Sequence, residues 1–186
     1  MADVLTRRRF TVEEYYRMGE AGILSGDDRV ELIEGEIVMM TPIGPPHAAA
    51  VHRLTRLWIT RLGDRAIVLV QNPIRLALDS ELQPDLALLR PRPDFYGKSH
   101  PQPPDTFLLI EVADTTAESD RRVKVPLYAR AGIRETWLLD LSADCVEVYR
   151  RPTPDGYQDV LTLHRGRPLA PGAFPDLVLT VEDLLG

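Results

Sequence analysis

The segment Phe107-Leu108-Leu109-Ile110-Glu111-Val112 is a nearly unbroken apolar run with one carboxylate set into it. Such a run reads as a central strand covered on both faces, because a strand with one face in water alternates apolar and polar residues instead. Glu111 is the anomaly in it. Glutamate is almost never buried without a partner, and a buried ionised carboxylate is costly unless it is paired or bound to metal. Two readings follow: a salt bridge to one of the many arginines, or a ligand at the mouth of a site.

The flanking sequence supplies the layers that such a strand needs. Thr11-Val12-Glu13-Glu14 is a Thr-x-x-Glu capping box that starts a helix, and Gly22 ends it near Ala21. Arg29–Ile33 and Glu36–Met40 read as a hairpin turning on Gly35. Val51, Leu54, Thr55, Trp58 and Leu62 recur at helical spacing, which predicts a helix over His47–Leu62. Strands are expected at Ala66–Val70, Ile74–Leu78, Asp85–Leu89, Thr136–Leu139 and Val146–Tyr149, and a helix over Ser119–Ala131 closed by Gly132. The rest reads as loop, apart from a short capped helix at Thr180–Leu185. Prolines cluster at 42–46 and again at 91–104, the second a long irregular loop. This order predicts one domain over residues 1–186, an α/β mixed sheet flanked by helices.

Composition narrows the class. With 186 residues, about 70% of the unfolded chain's surface becomes buried, so a core forms without staples. The single cysteine, Cys145, excludes an internal disulfide framework and a Cys-based zinc site, and points to the cytoplasm. No apolar run approaches the ~20 residues that span a bilayer. The net charge of −6 argues against indiscriminate coating of nucleic acid or anionic membrane, while leaving room for a local basic path. A Gly-rich phosphate loop and a Gly-x-Ser-x-Gly elbow are both absent, which disfavours nucleotide triphosphate use and serine hydrolysis. His47 and His52 lie five apart, not at the i,i+4 spacing of a zinc helix.

Two further positions join Glu111. Pro84-Asp85 opens an apolar strand, where proline is tolerated because the first residue need not donate to the ladder. Asp85 is thereby held at a strand mouth. Lys124 lies on the predicted helix, with Tyr128 four residues later on the same face. In this order the residues resemble the PD-(D/E)XK nuclease superfamily. More narrowly, the chain is similar to the Uma-two-type restriction endonuclease family. The matching segments are Val30–Val38, Gln83-Pro84-Asp85-Leu86, Leu109-Ile110-Glu111-Val112, Asp120 with Lys124 and Tyr128-Ala129, and Gly132 to Leu139. Three departures stand out: Ala113 replaces the superfamily lysine two residues after Glu111, Pro126 falls inside the predicted helix, and Ala113-Asp114 replaces a Ser-Pro.

The resemblance implies a restriction-endonuclease-like fold and Mg²⁺-dependent phosphodiester hydrolysis on DNA, with Mn²⁺ as a substitute. Catalytic roles would fall to Asp85, Glu111 and Lys124, and metal ligation to Asp85, Glu111 and, from the family match, Glu31. An Mg²⁺ ion commonly uses one or two carboxylates and keeps several waters. His47, Arg121, Arg122 and Tyr128 are candidates for substrate contact; the competing readings are a helix-terminal polar residue, a solvated helix face and core packing. Cutting both strands needs two active sites, which a homodimer would supply. Alternatives are a catalytically silent DNA- or protein-binding module of the same fold, and a metal-dependent hydrolase of a small phosphate ester.

Overall fold

The computed structural model describes residues 6–186. Helix α1 (Val12–Glu20) begins at the Thr11 capping box, with Thr11 and Glu14 each accepting from the other's backbone N–H. A hairpin, β1 (Val30–Ile33) and β2 (Glu36–Met39), follows. Its two turn residues, Glu34 and Gly35, both sit at positive φ (48° and 78°), the geometry that matches the right-handed twist of the flanking strands. Helix α2 (Pro45–Leu62) starts two residues earlier than the periodicity predicts, because prolines suit a first turn whose N–H groups have no partners. Next come β3 (Ile67–Val70), β4 (Ile74–Ala77), β5 (Ser80–Leu82) and β6 (Leu86–Leu89).

The apolar run is β7 (Thr106–Ala113). A helical connection then passes through α3 (Ala117–Ser119), a widened π turn over Asp120–Lys124, and α4 (Val125–Arg130). The chain continues through β8 (Glu135–Asp140), β9 (Cys145–Thr153), β10 (Gly156–His164), the short β11 (Pro168–Leu169) and β12 (Leu179–Thr180), and α5 (Val181–Leu185). The main sheet has the order β10-β9-β8-β7-β6-β3. Its β7–β8 pair is parallel and its other pairs antiparallel, so the sheet is mixed as expected. A second sheet, β2-β1-β5-β4, lies beside it.

Besides the two-residue β11 and β12, two stretches read as loop in the sequence are strands. Strand β10 forms the outer edge of the main sheet, with Leu163 its one buried residue and the adjacent Val160 and Leu161 both exposed, so the clean alternation that marks a strand is missing. Strand β5 is three residues long and its Ser80 and Glu81 are buried polar groups. The helix expected over Ser119–Ala131 is not one regular helix either. Proline at 126 has no N–H to give and crowds the carbonyl four residues back. The backbone instead makes an i→i−5 bond from Val125 N–H to Asp120 O, and Pro126 falls in the opening turn of α4.

The main sheet is buried on both faces. Leu108, Ile110 and Val112 point to one side, where Val51, Leu54 and Trp58 of α2 pack with Trp137 and the C-terminal Leu184. Leu109 points to the other, against Leu127, Tyr128 and Ile133. Period-two alternation along β7 therefore turns Glu111 toward the α4 side, the same side as Leu109 and Ala113.

The hairpin turn is the tightest of these contacts. A Cβ on Gly35 would lie 2.5 Å from Cβ of Arg9, on a residue already at positive φ. Gly166 shares the φ (81°) but has open space around it. Gly35→Ala is expected to lower the melting temperature more than Gly166→Ala does. The second carries only the left-handed conformational cost of about 1–2 kcal/mol, roughly 2–8 °C for this chain length. Thermal melts of the two variants beside wild type measure the difference; equal shifts would mean that the Arg9 contact relaxes freely.

Candidate active site

Five elements deliver ionisable side chains to one end of the main sheet. Asp85 immediately precedes β6, and Glu111 lies near the C-terminal end of β7. Glu31 comes from β1, His47 from the first turn of α2, and Asp120 and Lys124 from the π turn. All six line a single cavity of about 620 Å³. Glu111 is 2% exposed, and Glu31, Asp85 and Asp120 are buried with it.

Asp85 is held from three directions. Its Oδ2 accepts the backbone N–H of Val112 at 2.9 Å and lies 2.9 Å from Nε2 of His47; its Oδ1 accepts from Nε2 of Gln71 at 3.1 Å. Gln71 also returns its backbone N–H to the Asp85 carbonyl at 3.1 Å, from a left-handed conformation with φ 48°. The bond to Val112 ties the Asp85 carboxylate directly to the strand that carries Glu111.

Lys124 joins the remaining carboxylates. Its Nζ is 3.4 Å from Oε1 of Glu111 and 3.5 Å from Oε1 of Glu31. The Glu31 oxygen also accepts the backbone N–H of Gln83 at 2.7 Å, which anchors β1 to the approach to Asp85. The Tyr128 hydroxyl donates to Oε1 of Glu111. Asp120 Oδ2 accepts from the Thr116 hydroxyl at 2.8 Å. The i→i−5 turn that accommodates Pro126 thus leaves Lys124 facing into the cavity, between β7 and β1.

The charge balance of this cluster is unequal, with four buried carboxylates around one ammonium. Burial pushes the Glu111 carboxyl up to about 8; Lys124 opposes the rise, while Asp85 and Asp120 add to it. Burial raises Asp120 as well, against the pull of Lys124. For Lys124, burial lowers the pKa, but Glu111, Glu31, Asp120 and Asp85 together outweigh it and hold the ammonium above its ordinary value. The hydrogen bond to Asp85 raises the pKa of His47, with burial working against it. His47 Nδ1 is buried and has no hydrogen-bond partner among the described residues.

The other sequence candidates are distributed differently. Tyr128 is fully buried and touches Glu111 rather than the open cavity. Arg121 points away from the cluster. Its Nε donates to Glu147 at 2.9 Å and its terminal nitrogen to Asp140 at 2.6 Å, two partners that raise its pKa. Arg122 is exposed and does not line the cavity. Gln71 and Asp120, absent from the sequence-derived set of site residues, belong to the cluster. Asp120 stands four residues before Lys124, a spacing that carries a signal; Gln71 has none, since only the β3–β4 turn brings it to Asp85.

Among the described residues, no three His, Cys, Asp or Glu side chains converge with the spacing of a metal shell. The two donors at the strand ends, Asp85 and Glu111, line the same cavity as hard carboxylate oxygens with an excess of negative charge around them. That set fits a divalent cation which takes two protein ligands and keeps its remaining waters. Also among the described residues, no helix is long and apolar enough to cross a membrane.

Comparison with known proteins bears on the fold and the family. An uncharacterized protein of Synechocystis sp., sll1609, is 26% identical over 156 residues, covering 81% of this chain and 86% of that one. A solved structure described as "a putative nuclease belonging to DUF820", from Anabaena variabilis, superposes with a TM-score of 0.74 at 17% identity, covering 95% of this chain and 97% of its own. The mixed α/β fold is therefore shared with that protein. The family model described as "Putative restriction endonuclease" matches residues 12–182, from the start of α1 to α5, and the chain accordingly belongs to the Uma2 family.

Proposed function

We propose that this protein is a metal-dependent endonuclease that hydrolyses DNA phosphodiester bonds. The observation that carries the reading is the meeting of Asp85, Glu111 and Lys124 in one cavity at the strand ends, three residues drawn from elements far apart in sequence. Structural ion pairing alone is a poor account of it, because one lysine leaves Glu111 with a pKa near 8 and three further carboxylates beside it. Nuclease family membership adds weight to the same reading.

Asp85 and Glu111 would hold Mg²⁺, with Glu31 reached through Lys124 or water. Bound there, the cation would polarise the scissile phosphate and make a bound water acidic enough to attack at neutral pH. Lys124, kept charged by its carboxylate neighbours, would neutralise charge growing on the phosphoryl oxygens. Tyr128 fixes the rotamer of Glu111, and Gln71 with the Val112 N–H fixes Asp85, so both carboxylates are set before substrate arrives. His47 lies one hydrogen bond from Asp85 and so aligns that ligand from the helix side.

Incubating the purified protein with supercoiled plasmid and Mg²⁺, Mn²⁺ or chelator should give nicking only with metal. Asp85→Asn and Glu111→Gln should each reduce it at least ~100-fold, since losing a metal ligand removes several kcal/mol of transition-state stabilisation and ~1.36 kcal/mol is tenfold in rate. Full activity in either variant would refute the assignment. No cleavage in any metal would favour a catalytically silent module of the same fold.

Stability reports on the site independently of turnover. Burial raises the folded pKa of Glu111 above its ordinary value of 4.5 to about 8. Between those values the folded state holds a proton that the unfolded state releases, so stability contributed by this group is present below about pH 4.5 and lost as pH rises toward 8. Metal-free wild type should therefore melt at progressively lower temperature across that window, and Glu111→Gln should flatten the decline. Mg²⁺ at ~10-fold excess over Kd should raise the melting temperature by roughly 3–6 °C, from ~1.4 kcal/mol of linkage. That gain should be larger at pH 8 than at pH 6, because the cation displaces the Glu111 proton. Melts in buffers spanning this range check both points; a metal shift that is nil at every pH would leave the carboxylates structural.

A further inference from the structure

The floor of the site is deep, and its rim is unlike a duplex-binding surface. Asp85 and Glu111 are 9% and 2% exposed, so a scissile phosphate must enter the cavity to reach them. A cavity of about 620 Å³ has the size of a pocket for one small molecule. Among the described residues, seven carboxylates and three permanent cations, Arg9, Arg29 and Lys124, line it; Glu34 and Glu36 at the rim are paired to Arg130 and Arg7 outside it, which leaves the acidic excess at the floor. Duplex DNA carries one charge per ~1.7 Å of its axis, twice the density of a single strand. Several of those charges would fall within ~8–10 Å of the acidic wall, inside a Debye length.

One side of the cavity is apolar and open to water instead. Val38 and Met39 of β2, Ile43 in the loop that follows, and Val123 in the π turn are exposed hydrophobic side chains, Met39 at 84%. Arg29 stands at the mouth, exposed and in no ion pair among the described residues. An apolar wall beside a surface arginine free of ion pairs among the described residues and a largely buried lysine suits a nucleotide whose base has left its stack. Enzymes that act on a buried nucleotide take single strands, or extrude the nucleotide from the duplex at a cost of a few kcal/mol.

We propose that the site accepts an unpaired DNA nucleotide, with its base against Val38, Met39 and Ile43, its phosphate at Lys124 and the neighbouring phosphate at Arg29. This rests on the nuclease reading above and specifies its substrate as single-stranded or unwound DNA rather than intact duplex. The base-contacting wall belongs to the hairpin whose turn is pinned by Gly35, so the same element supplies Glu31 to the floor and Met39 to the rim.

Binding tests the proposal without turnover. A fluorescent 20-nucleotide single strand and its duplex are titrated with wild-type protein in Ca²⁺, followed by anisotropy at fixed salt. The single strand should bind at least tenfold more tightly. Met39→Glu and Arg29→Ala should each cut single-strand affinity severalfold while melting as wild type does, since both side chains are exposed. In Mn²⁺, circular single-stranded DNA should be cut faster than relaxed closed duplex by a similar factor. Equal or tighter duplex binding, or equal affinity of Met39→Glu for the single strand, overturns the proposal. Cleavage without strand preference would sink this substrate assignment and leave the endonuclease standing; strand preference with no cleavage in any metal would do the reverse.

Discussion

The contact between Glu111 and Lys124 organises this end of the protein. A strand as apolar as β7 belongs in the middle of a covered sheet, and setting a carboxylate there is tolerable only if positive charge and hydrogen bonds come to meet it. The lysine arrives from the crossover that joins β7 to its parallel neighbour β8, so the pair links the strand to the connection that makes the sheet mixed. Tyr128, one helical turn on, supplies the hydroxyl. Glu31, from the second sheet, shares the ammonium and fastens the two sheets together at this point.

Asp85 extends the same arrangement across the sheet. It accepts the N–H of Val112, the residue after Glu111, so the two carboxylates are separated by a backbone hydrogen bond rather than by flexible side chains. Gln71 and His47 then approach from β3–β4 and from α2. Each layer of the fold contributes one group, which makes the cluster a property of the whole architecture and not of any single loop.

Much of this was legible in the sequence because burial contradicts chemistry there. Glu111 stands out in an apolar run, Asp85 stands behind a proline at a strand mouth, and the capping boxes at Thr11 and Thr180 mark helix starts by direct side-chain bonding. What stayed hidden lacks such a contradiction. Strand β10 has most of its side chains in water, and its adjacent exposed Val160 and Leu161 break the in–out alternation, so it resembles a loop. Strand β5 buries Glu81, whose partners Tyr16 and Arg75 come from elsewhere in the fold. Gln71 is an ordinary turn residue until β3 and β6 pair. Arg121 sits in a basic run that suggests phosphate, yet Asp140 and Glu147 of the neighbouring strands claim it.

The widened turn at Asp120–Lys124 has a bearing on how this family can vary. A π turn amounts to one extra residue threaded into an α-helix, which rotates everything after it by ~100° relative to the regular spiral. Removing Arg122, which lies outside the cluster, would restore ordinary helical winding and swing the lysine to another face, even though every side chain of the cluster survived. Length in this stretch is therefore as constrained as identity. A relative that gained or lost one position here would have to recruit its positive charge from a different place on the helix.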